Sequence, residues 1–249
     1  MADVSVVKDG LRCLFDAYEP KRQVNTSFTV KKTKRKVDLK ILCAEDDHPG
    51  ALQSGVFLWP AANALGGYIA AGDFDDIIPS TETRISILEL GAGAGLVGLT
   101  AAKVIDNSKV ILTDRDQVSL DLINENINLN GLERDCSTAQ LIWGDSKDSL
   151  RMCSNLSEKI DLIIGSDLIY SVDVVSDLMT TVKILMAQNK ASAFILCSSF
   201  RHPDTTVFLD KVCKSNNLER NVLRNTISCD GCDDESADNV LIETFVPLL

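Results

Sequence analysis

Short apolar runs alternate with stretches of helical character along most of the chain. The runs that predict buried strands are residues 85–90, 109–114, 139–144, 160–165 and 193–200, because continuous apolar residues are typical of strands covered on both faces. Helices are predicted between and after these strands, at residues 96–105, 117–129, 146–157, 174–186 and 205–216. Strands that alternate with helices indicate an α/β fold with a doubly wound, mostly parallel sheet, and residues 240–248 predict a terminal strand.

The N-terminal part of the chain follows a different pattern. Residues 26–44 alternate apolar and polar positions with the period of two that is typical of half-buried strands. A basic run at residues 31–36 interrupts this alternation, so we predict a β-hairpin with a solvated basic turn, although the run could instead contact an acidic partner. We predict a single domain over residues 1–249, with an N-terminal extension at residues 1–55 and a core at residues 56–249.

A glycine-rich turn follows the first predicted core strand. Residues 85–98 read I-S-I-L-E-L-G-A-G-A-G-L-V-G, so Gly91, Gly93 and Gly95 lie between a buried strand and an amphipathic helix. Glycine at these positions permits a positive φ or the close approach of a ligand, and the start of the helix offers unpaired N–H groups. The pattern G-x-G-x-x-G at residues 93–98 leaves two cofactor classes open: a nicotinamide or flavin dinucleotide, or S-adenosylmethionine.

Glu89 distinguishes between these classes. It precedes the glycines and would repel a pyrophosphate, whereas a carboxylate suits a ligand with an ammonium and a sulfonium. Asp114 ends the next strand, at about the 20-residue offset where a carboxylate binds ribose hydroxyls, and it agrees with both classes. Glu89 therefore favours S-adenosylmethionine.

The order of the motifs is similar to that of a known family. The segments V-F-L-W-P-A-A, E-L-G-A-G-A-G-L-V-G, L-T-D, L-I-W-G-D and D-L-I-I-G-S-D-L-I-Y follow one another over residues 56–200. This part of the chain resembles the seven-β-strand protein-lysine methyltransferases of methyltransferase family 16. The resemblance implies a Rossmann-like class I methyltransferase fold of seven strands, one of them antiparallel, with S-adenosylmethionine as cofactor and S-adenosylhomocysteine as product.

The resemblance also implies roles for individual cofactor-binding residues. Gly91, Ala92 and Gly93 would lie against the methionine part of the cofactor, and Asp114 would bind the ribose. The remaining residues implied to contact the cofactor are Trp59 near its methionine end, Trp143 and Asp145 beside the adenine, and Ser166 beside the ribose or sulfur. From the residues alone, an indole next to an acceptor suits a purine, and the alternative for both Trp143 and Trp59 is a packing residue.

Asp167 and Tyr170 form the D-x-x-Y motif of the family and are the candidate catalytic pair. Methyl transfer from a sulfonium to an amine moves positive charge onto nitrogen, so a nearby carboxylate would stabilise the transition state or orient the amine. Tyr170 would form a channel wall that attracts the ammonium by cation–π interaction. The alternative for this pair is a capping aspartate and a packing tyrosine. Leu168 and Ile169 are not prolines, which disfavours a flipped-base substrate.

Charge and composition narrow the partners and the compartment. A net charge of −11 over 249 residues disfavours nucleic acid and favours a basic partner. The chain has no apolar run of membrane-spanning length and begins without the pattern of a secretory signal, so we expect it in the cytosol or nucleus. Cysteines stay reduced in these compartments. We also expect a monomer. Cys229 and Cys232 form a single C-x-x-C, which we interpret as a turn, and we expect no metal site.

These observations predict an S-adenosylmethionine-dependent methyltransferase whose acceptor is a lysine side chain of a non-histone protein. Two alternatives remain, a small-molecule N-methyltransferase with a closed pocket and a binding or scaffold protein that holds S-adenosylmethionine without turnover, because one fold supports many functions. A dehydrogenase is disfavoured by Glu89.

Overall fold

The computed structural model describes residues 22–44, 54–73, 77, 84–156, 159–189, 191, 193–199, 203–226 and 240–248. The strands within this part are β1 (Arg22–Thr29), β2 (Lys36–Cys43), β3 (Ile85–Leu90), β4 (Ser108–Asp114), β5 (Cys136–Gln140), β6 (Leu162–Ser166), β7 (Ala193–Ser199), β8 (Leu218–Asn225) and β9 (Val240–Pro247). The helices are α1 (Pro60–Ala71), α2 (Leu96–Val104), α3 (Gln117–Asn130), α4 (Ser146–Asn155), α5 (Val172–Asn189) and α6 (Pro203–Ser215).

Seven strands form one sheet in the order β5-β4-β3-β6-β7-β9-β8. The first five strands of that order are parallel, and β9 runs antiparallel to both of its neighbours. The strand order reverses between β3 and β6, and at such a point the carboxyl ends of parallel strands leave a crevice where ligands bind. The predicted doubly wound, mostly parallel sheet of seven strands is therefore confirmed.

Helices cover both faces of this sheet, as the near-continuous apolar character of its central strands requires. One buried cluster joins the face of the sheet that includes Ile87 to α1, α2 and α3, through Leu65, Leu99 and Ile123. A second cluster joins the opposite face, which includes Leu88, to α4, α5 and α6, through Met152, Leu178 and Leu209. No helix in the described ranges is long and apolar enough to cross a membrane.

The predicted N-terminal hairpin is confirmed by β1 and β2, which pair antiparallel. Its inward face is buried at Val37, Leu39 and Ile41, and these residues alternate with polar ones, as expected for a strand with one wet face. The basic turn lies at the surface, where Lys31 and Arg35 pair with Asp73 and Asp106. The division into a single domain with an extension at residues 1–55 stays a prediction.

Two features of the sheet differ from the sequence-based expectation. The third core strand was predicted at residues 139–144, but β5 spans Cys136–Gln140 and the apolar residues that follow it belong to the next loop. β8 was not predicted at all. Both are edge strands with mostly polar or exposed residues, so their sequences lack the apolar run of a central strand. Cys229 and Cys232 lie outside the described residues.

Candidate active site

A cavity of about 390 Å³ opens at the carboxyl ends of β3, β4 and β6. We call it the strand-end cavity, and its size is in the usual range for small-molecule sites. The residues that line it come from the glycine turn, the ends of β4 and β6 and the loops that follow them, the loop after β5, the segment before α1, and the N-terminal parts of α1, α2 and α5. They are Gly55, Phe57, Leu58, Trp59, Ala62, Gly91, Ala92, Gly93, Ala94, Leu96, Asp114, Arg115, Asp116, Leu141, Ile142, Trp143, Ser166, Asp167, Leu168, Tyr170, Val174 and Asp177.

The glycine turn is shaped by three positive φ angles, +56° at Gly91, +55° at Gly93 and +82° at Gly95. L side chains rarely adopt these angles, so glycine is required for conformation at all three positions. Space requires it as well: a Cβ on Gly93 would lie 2.6 Å from the carbonyl oxygen of Gly55, and one on Gly91 would lie 2.7 Å from Leu168. Gly55 was not among the site residues predicted from the sequence, although it lines the cavity.

Asp114 fixes this turn from the end of β4. Its Oδ2 accepts a hydrogen bond of 3.0 Å from the N–H of Gly93, and its Oδ1 accepts one of 3.1 Å from the N–H of Asp116. Burial raises the pKa of this carboxyl, and the backbone hydrogen bonds from Asp116 and Gly93 partly oppose that rise. Asp114 therefore presents a partly desolvated carboxylate to the cavity, which suits ribose hydroxyls.

Glu89 occupies a different position from the one that its predicted role requires. It does not line the strand-end cavity; its side chain is 1% exposed and lies beneath the glycine turn. There its Oε2 accepts a hydrogen bond of 2.9 Å from the N–H of Gly98, in the first turn of α2. Burial raises its pKa to about 8, so the carboxyl is largely protonated at neutral pH. In the structure, Glu89 caps α2 rather than offering a charge to a ligand.

The loop after β5 forms an apolar wall. Trp143 packs against the buried cluster on one face of the sheet and approaches Gly91, whose added Cβ would lie 3.0 Å from its ring. Ile142 lines the cavity, and its N–H donates to Asp148 at 2.8 Å. Asp145 does not line the cavity; its carboxylate caps α4 by accepting hydrogen bonds from the first turn of that helix. It thus shapes the loop without facing the site.

Trp59 and Ser166 line the cavity from two different elements. Trp59 is the N-cap residue of α1, directly before Pro60, and Ser166 is the last residue of β6. Both are half-buried. The structure therefore brings together nine of the eleven residues singled out from the sequence, and Glu89 and Asp145 are the two that lie outside the cavity.

Asp167 follows β6 with a φ of +53°, an uncommon backbone conformation for a residue other than glycine. Its carboxylate is 8% exposed and accepts hydrogen bonds from the backbone N–H groups of Ala61 and Ser199, at 3.2 and 2.8 Å. The hydroxyl of Ser199 lies 2.8 and 2.9 Å from its two oxygens. Asp167 thus joins the start of α1 to the ends of β6 and β7 while it faces the cavity.

Tyr170 stands at the mouth of the cavity with 61% of its surface exposed. Val174 and Asp177 continue this side along α5. They were missed in the sequence, although they follow Tyr170 by four and seven residues, a spacing that would place them on one helical face. Asp116, beyond the end of β4, adds a further carboxylate at the surface. The mouth is therefore open, acidic and partly aromatic.

A sequence model of one protein family, described as lysine methyltransferase, matches residues 36–215 of this chain. The chain belongs to the lysine methyltransferase family. The match includes β2, both walls of the strand-end cavity and the D-x-x-Y motif.

Curated relatives of this chain include mouse (Mus musculus) METTL21A, a protein N-lysine methyltransferase. It is 32% identical over 156 residues, which cover 61% of this chain and 64% of that protein. Mouse METTL23, a histone-arginine methyltransferase, is 31% identical over 146 residues, which cover 57% of this chain and 52% of that protein. In each case the chain spans less than two thirds of the relative. An S-adenosylmethionine-dependent methyltransferase from Agrobacterium tumefaciens shares the fold, with a TM-score of 0.55, 14% identity and coverage of 92% of this chain and 72% of that one.

Membership of this family supports S-adenosylmethionine as the cofactor, and the residues that line the strand-end cavity match the chemistry of that molecule. Asp114 offers a carboxylate for ribose hydroxyls, and the glycine turn has no side chain that would block its approach. Ile142 and Trp143 offer an apolar wall for a purine. Four of the lining residues are aspartates and one is an arginine, an excess of negative charge that suits a cationic ligand. The residues present fit the cofactor.

Proposed function

We propose that this protein transfers a methyl group from S-adenosylmethionine to a lysine side chain of a protein substrate. The observation that carries this proposal is the shape of the strand-end cavity, whose cofactor-binding walls continue into an open mouth at Tyr170. An open mouth suits an acceptor on the surface of another protein, whereas a small metabolite would require an enclosed pocket.

On the cofactor side, Asp114 would hold the ribose and the turn at Gly91 and Gly93 would hold the methionine part. Trp143 would cover the adenine, and Ser166 would lie near the ribose or sulfur. When bound, S-adenosylmethionine supplies an electrophilic methyl group on a sulfonium. The role of these residues is to fix that group in line with the acceptor nitrogen, because orientation supplies a large share of the rate in such a transfer.

On the acceptor side, the lysine must arrive as a neutral amine, so its ammonium loses a proton to water before transfer. Tyr170 would attract the ammonium through its ring. Asp167 would favour the positive charge that develops on nitrogen, and its four hydrogen-bond contacts with Ala61 and Ser199 hold it in place for this. The negative charge of the whole chain, −11, would favour encounter with a basic substrate.

The proposal is tested by incubating the protein with radiolabelled S-adenosylmethionine and a fractionated cell lysate. We expect label on a discrete protein band, with methylated lysine after acid hydrolysis and amino-acid analysis. Methylated arginine would mean that the acceptor is an arginine side chain and not lysine. Label in the small-molecule fraction would mean that the acceptor is a metabolite. Binding of the cofactor without any labelling would favour a scaffold protein.

Two variants connect this labelling to the site. Tyr170→Ala changes an exposed side chain at the mouth, and Val207→Ala changes an exposed side chain on α6 that does not line the cavity. Tyr170→Ala should lower the labelling rate by roughly tenfold or more, the usual effect of losing a positioned group, while Val207→Ala should leave it unchanged. Equal rates for the two variants would remove Tyr170 from the mechanism.

A further inference from the structure

Asn126 connects the N-terminal hairpin to the glycine turn. It lies on α3 with 0% of its surface exposed, and its amide makes three hydrogen bonds. Its Oδ1 accepts from the N–H of Leu42 at 2.7 Å, and its Nδ2 donates to the carbonyl of Leu42 at 3.0 Å. The same Nδ2 donates to the carbonyl of Ala94 at 2.9 Å. Leu42 is in β2, whereas Ala94 lies between Gly93 and Gly95 and lines the strand-end cavity.

The carbonyl of Ala94 lies outside α2, because Ala94 precedes Gly95, the N-cap residue of that helix. The first bond of α2 runs from the N–H of Leu99 to the carbonyl of Gly95, and the N–H of Gly98, which has no acceptor within the helix, donates to Glu89. Because a buried carbonyl without a partner costs about 1–3 kcal/mol, the hydrogen bond from Asn126 to the carbonyl of Ala94 stabilises the glycine turn.

The hairpin also reaches the cavity by a second route. The N–H of Ala44, directly after β2, donates to the carbonyl of Val56 at 3.0 Å. The segment that follows Val56 includes Phe57 and Trp59, which line the cavity. A shift of the end of β2 would therefore displace Phe57 and Trp59 through the bond between Ala44 and Val56. It would also displace Ala94 in the glycine turn through Asn126.

We propose that Asn126 is a positioning residue of the cofactor site and that, through it, docking of the N-terminal hairpin and binding of S-adenosylmethionine stabilise each other. This inference rests on the proposed function for the identity of the ligand. If S-adenosylmethionine binds only when the glycine turn is ordered, its binding also stabilises the contact between Asn126 and Leu42 that orders the turn, because the coupling between two such events is reciprocal.

Asn130 offers a matched control. It lies one turn further along α3, and its amide pairs with the N–H and carbonyl of Lys40 at 3.0 and 2.7 Å, as Asn126 pairs with Leu42. The Nδ2 of Asn130 also donates to the backbone carbonyl of Asn126 at 2.8 Å, which Asn126→Ala leaves in place. Within the described part of the chain, the hydrogen bond to Ala94 comes from Asn126 and not from Asn130, and Asn130 is not among the residues that line the cavity. Asn126→Ala and Asn130→Ala therefore remove equivalent bonds to the hairpin, and only the first also removes a bond to the glycine turn.

The test is calorimetric titration of S-adenosylhomocysteine into the wild-type protein and both variants, at a temperature where urea curves show each to be folded. Asn126→Ala should raise the Kd about tenfold, and Asn130→Ala should change it by less than about twofold. Equal Kd values for the two variants would overturn the inference. Failure of the wild-type protein to bind would instead count against the proposed function.

Amide exchange of the wild-type protein gives a second readout that does not require a stable variant. S-adenosylhomocysteine should slow exchange of the Leu42 amide, which donates to Asn126, more than that of the Lys40 amide, which donates to Asn130. Equal protection of the two amides, or none, would contradict the coupling.

Discussion

At the scale of single residues, the glycine turn and the start of α2 depend on two buried carboxyl groups. Glu89 accepts a hydrogen bond from the N–H of Gly98, and Asp114 accepts one from the N–H of Gly93, so acids from two neighbouring strands stabilise this segment. Burial raises the pKa of both carboxyls, and the charge of Asp114 further raises that of Glu89. The turn is therefore sensitive to the protonation state of Glu89.

Glu89→Gln should make the protein more stable relative to wild type as the pH rises. The pKa of Glu89 is about 8 in the folded state, against 4.5 as its ordinary value. Below both values the group is protonated in both states and contributes nothing. Between them the unfolded chain ionises first, so wild-type stability falls with rising pH, by on the order of a few kcal/mol in total. Glutamine keeps the acceptor for Gly98 without this penalty.

Urea unfolding of both proteins between about pH 5 and pH 8 measures this difference. Glu219→Gln, on the exposed edge of β8, is the matched control. A difference between Glu89→Gln and wild type that stays constant over this range would contradict the buried, protonated state of Glu89.

Gly91→Ala should weaken both stability and cofactor binding, whereas Gly131→Ala should affect stability alone. Both glycines have positive φ angles, +56° and +65°, so each substitution costs about 1–2 kcal/mol of backbone strain. A Cβ on Gly131 meets nothing within 4 Å, but one on Gly91 displaces Leu168 and Trp143. Titration with S-adenosylhomocysteine should show a Kd raised by about tenfold or more for Gly91→Ala only. An unchanged Kd would show that the walls near Gly91 do not contact the ligand.

The sequence predicted the residues of this site better than their roles. The motif order predicted that Asp114, Trp143, Ser166 and Asp167 lie close together, because the carboxyl ends of parallel strands meet at one edge of the sheet. All four line the strand-end cavity. The motif order did not show that Glu89 accepts a hydrogen bond from the first turn of α2, because that contact depends on how closely α2 packs against the sheet.

At the scale of elements, the glycines of the helices differ in how closely they approach their neighbours. A Cβ on Gly98 of α2 would lie 2.5 Å from Glu89 and 2.8 Å from Leu112, so this helix packs against the sheet at a distance that only glycine allows. In α1, a Cβ on Gly66 would lie 2.8 Å from Phe28, whereas one on Gly67 would meet nothing within 4 Å. Glycine therefore serves close packing at Gly98 and has no steric role at Gly67.

Gly67→Ala should stabilise the protein by about 0.5–1 kcal/mol, because alanine loses less backbone entropy in a helix. Gly98→Ala should destabilise it by about 1–3 kcal/mol, since the overpacking cost exceeds the same gain in helix propensity. Urea unfolding of the two variants and the wild-type protein measures the change in the free energy of unfolding for each substitution. If both substitutions stabilised the protein, the close approach of α2 to β3 and β4 would be wrong.

Elements at the edges of the sheet were the least predictable from sequence. β8 buries only Leu218 and is exposed along most of its length, and it is fixed by pairing with β9 and by the contacts of Arg220 with Asp210 and Glu243. Those contacts join residues distant in sequence, so no local pattern indicates them. The central strands, buried on both faces, were predicted to within two residues because burial alone determines their composition.

At the scale of the whole molecule, charge connects the fold to its ligands. The chain carries a net charge of −11, and the cavity adds Asp116 and Asp177 at its surface to the buried Asp114 and Asp167. Arg115 is the one cation among the described residues that line it. A cleft of one sign raises the local concentration of ligands of the opposite sign. The acidic residues should attract S-adenosylmethionine more strongly than S-adenosylhomocysteine, because the cofactor has one positive charge more than the product.

Salt should therefore weaken binding of S-adenosylmethionine more than binding of S-adenosylhomocysteine. Between about 0.03 and 0.5 M NaCl, the ratio of the two Kd values, cofactor over product, should rise about twofold or more, because salt screens the exposed carboxylates. Asp177→Asn should reduce this rise, since Asp177 lines the cavity, whereas Asp173→Asn, on the exposed first turn of the same helix, should change it less. A ratio independent of salt would mean that the two ligands are distinguished by contact alone and not by the field of the acidic mouth.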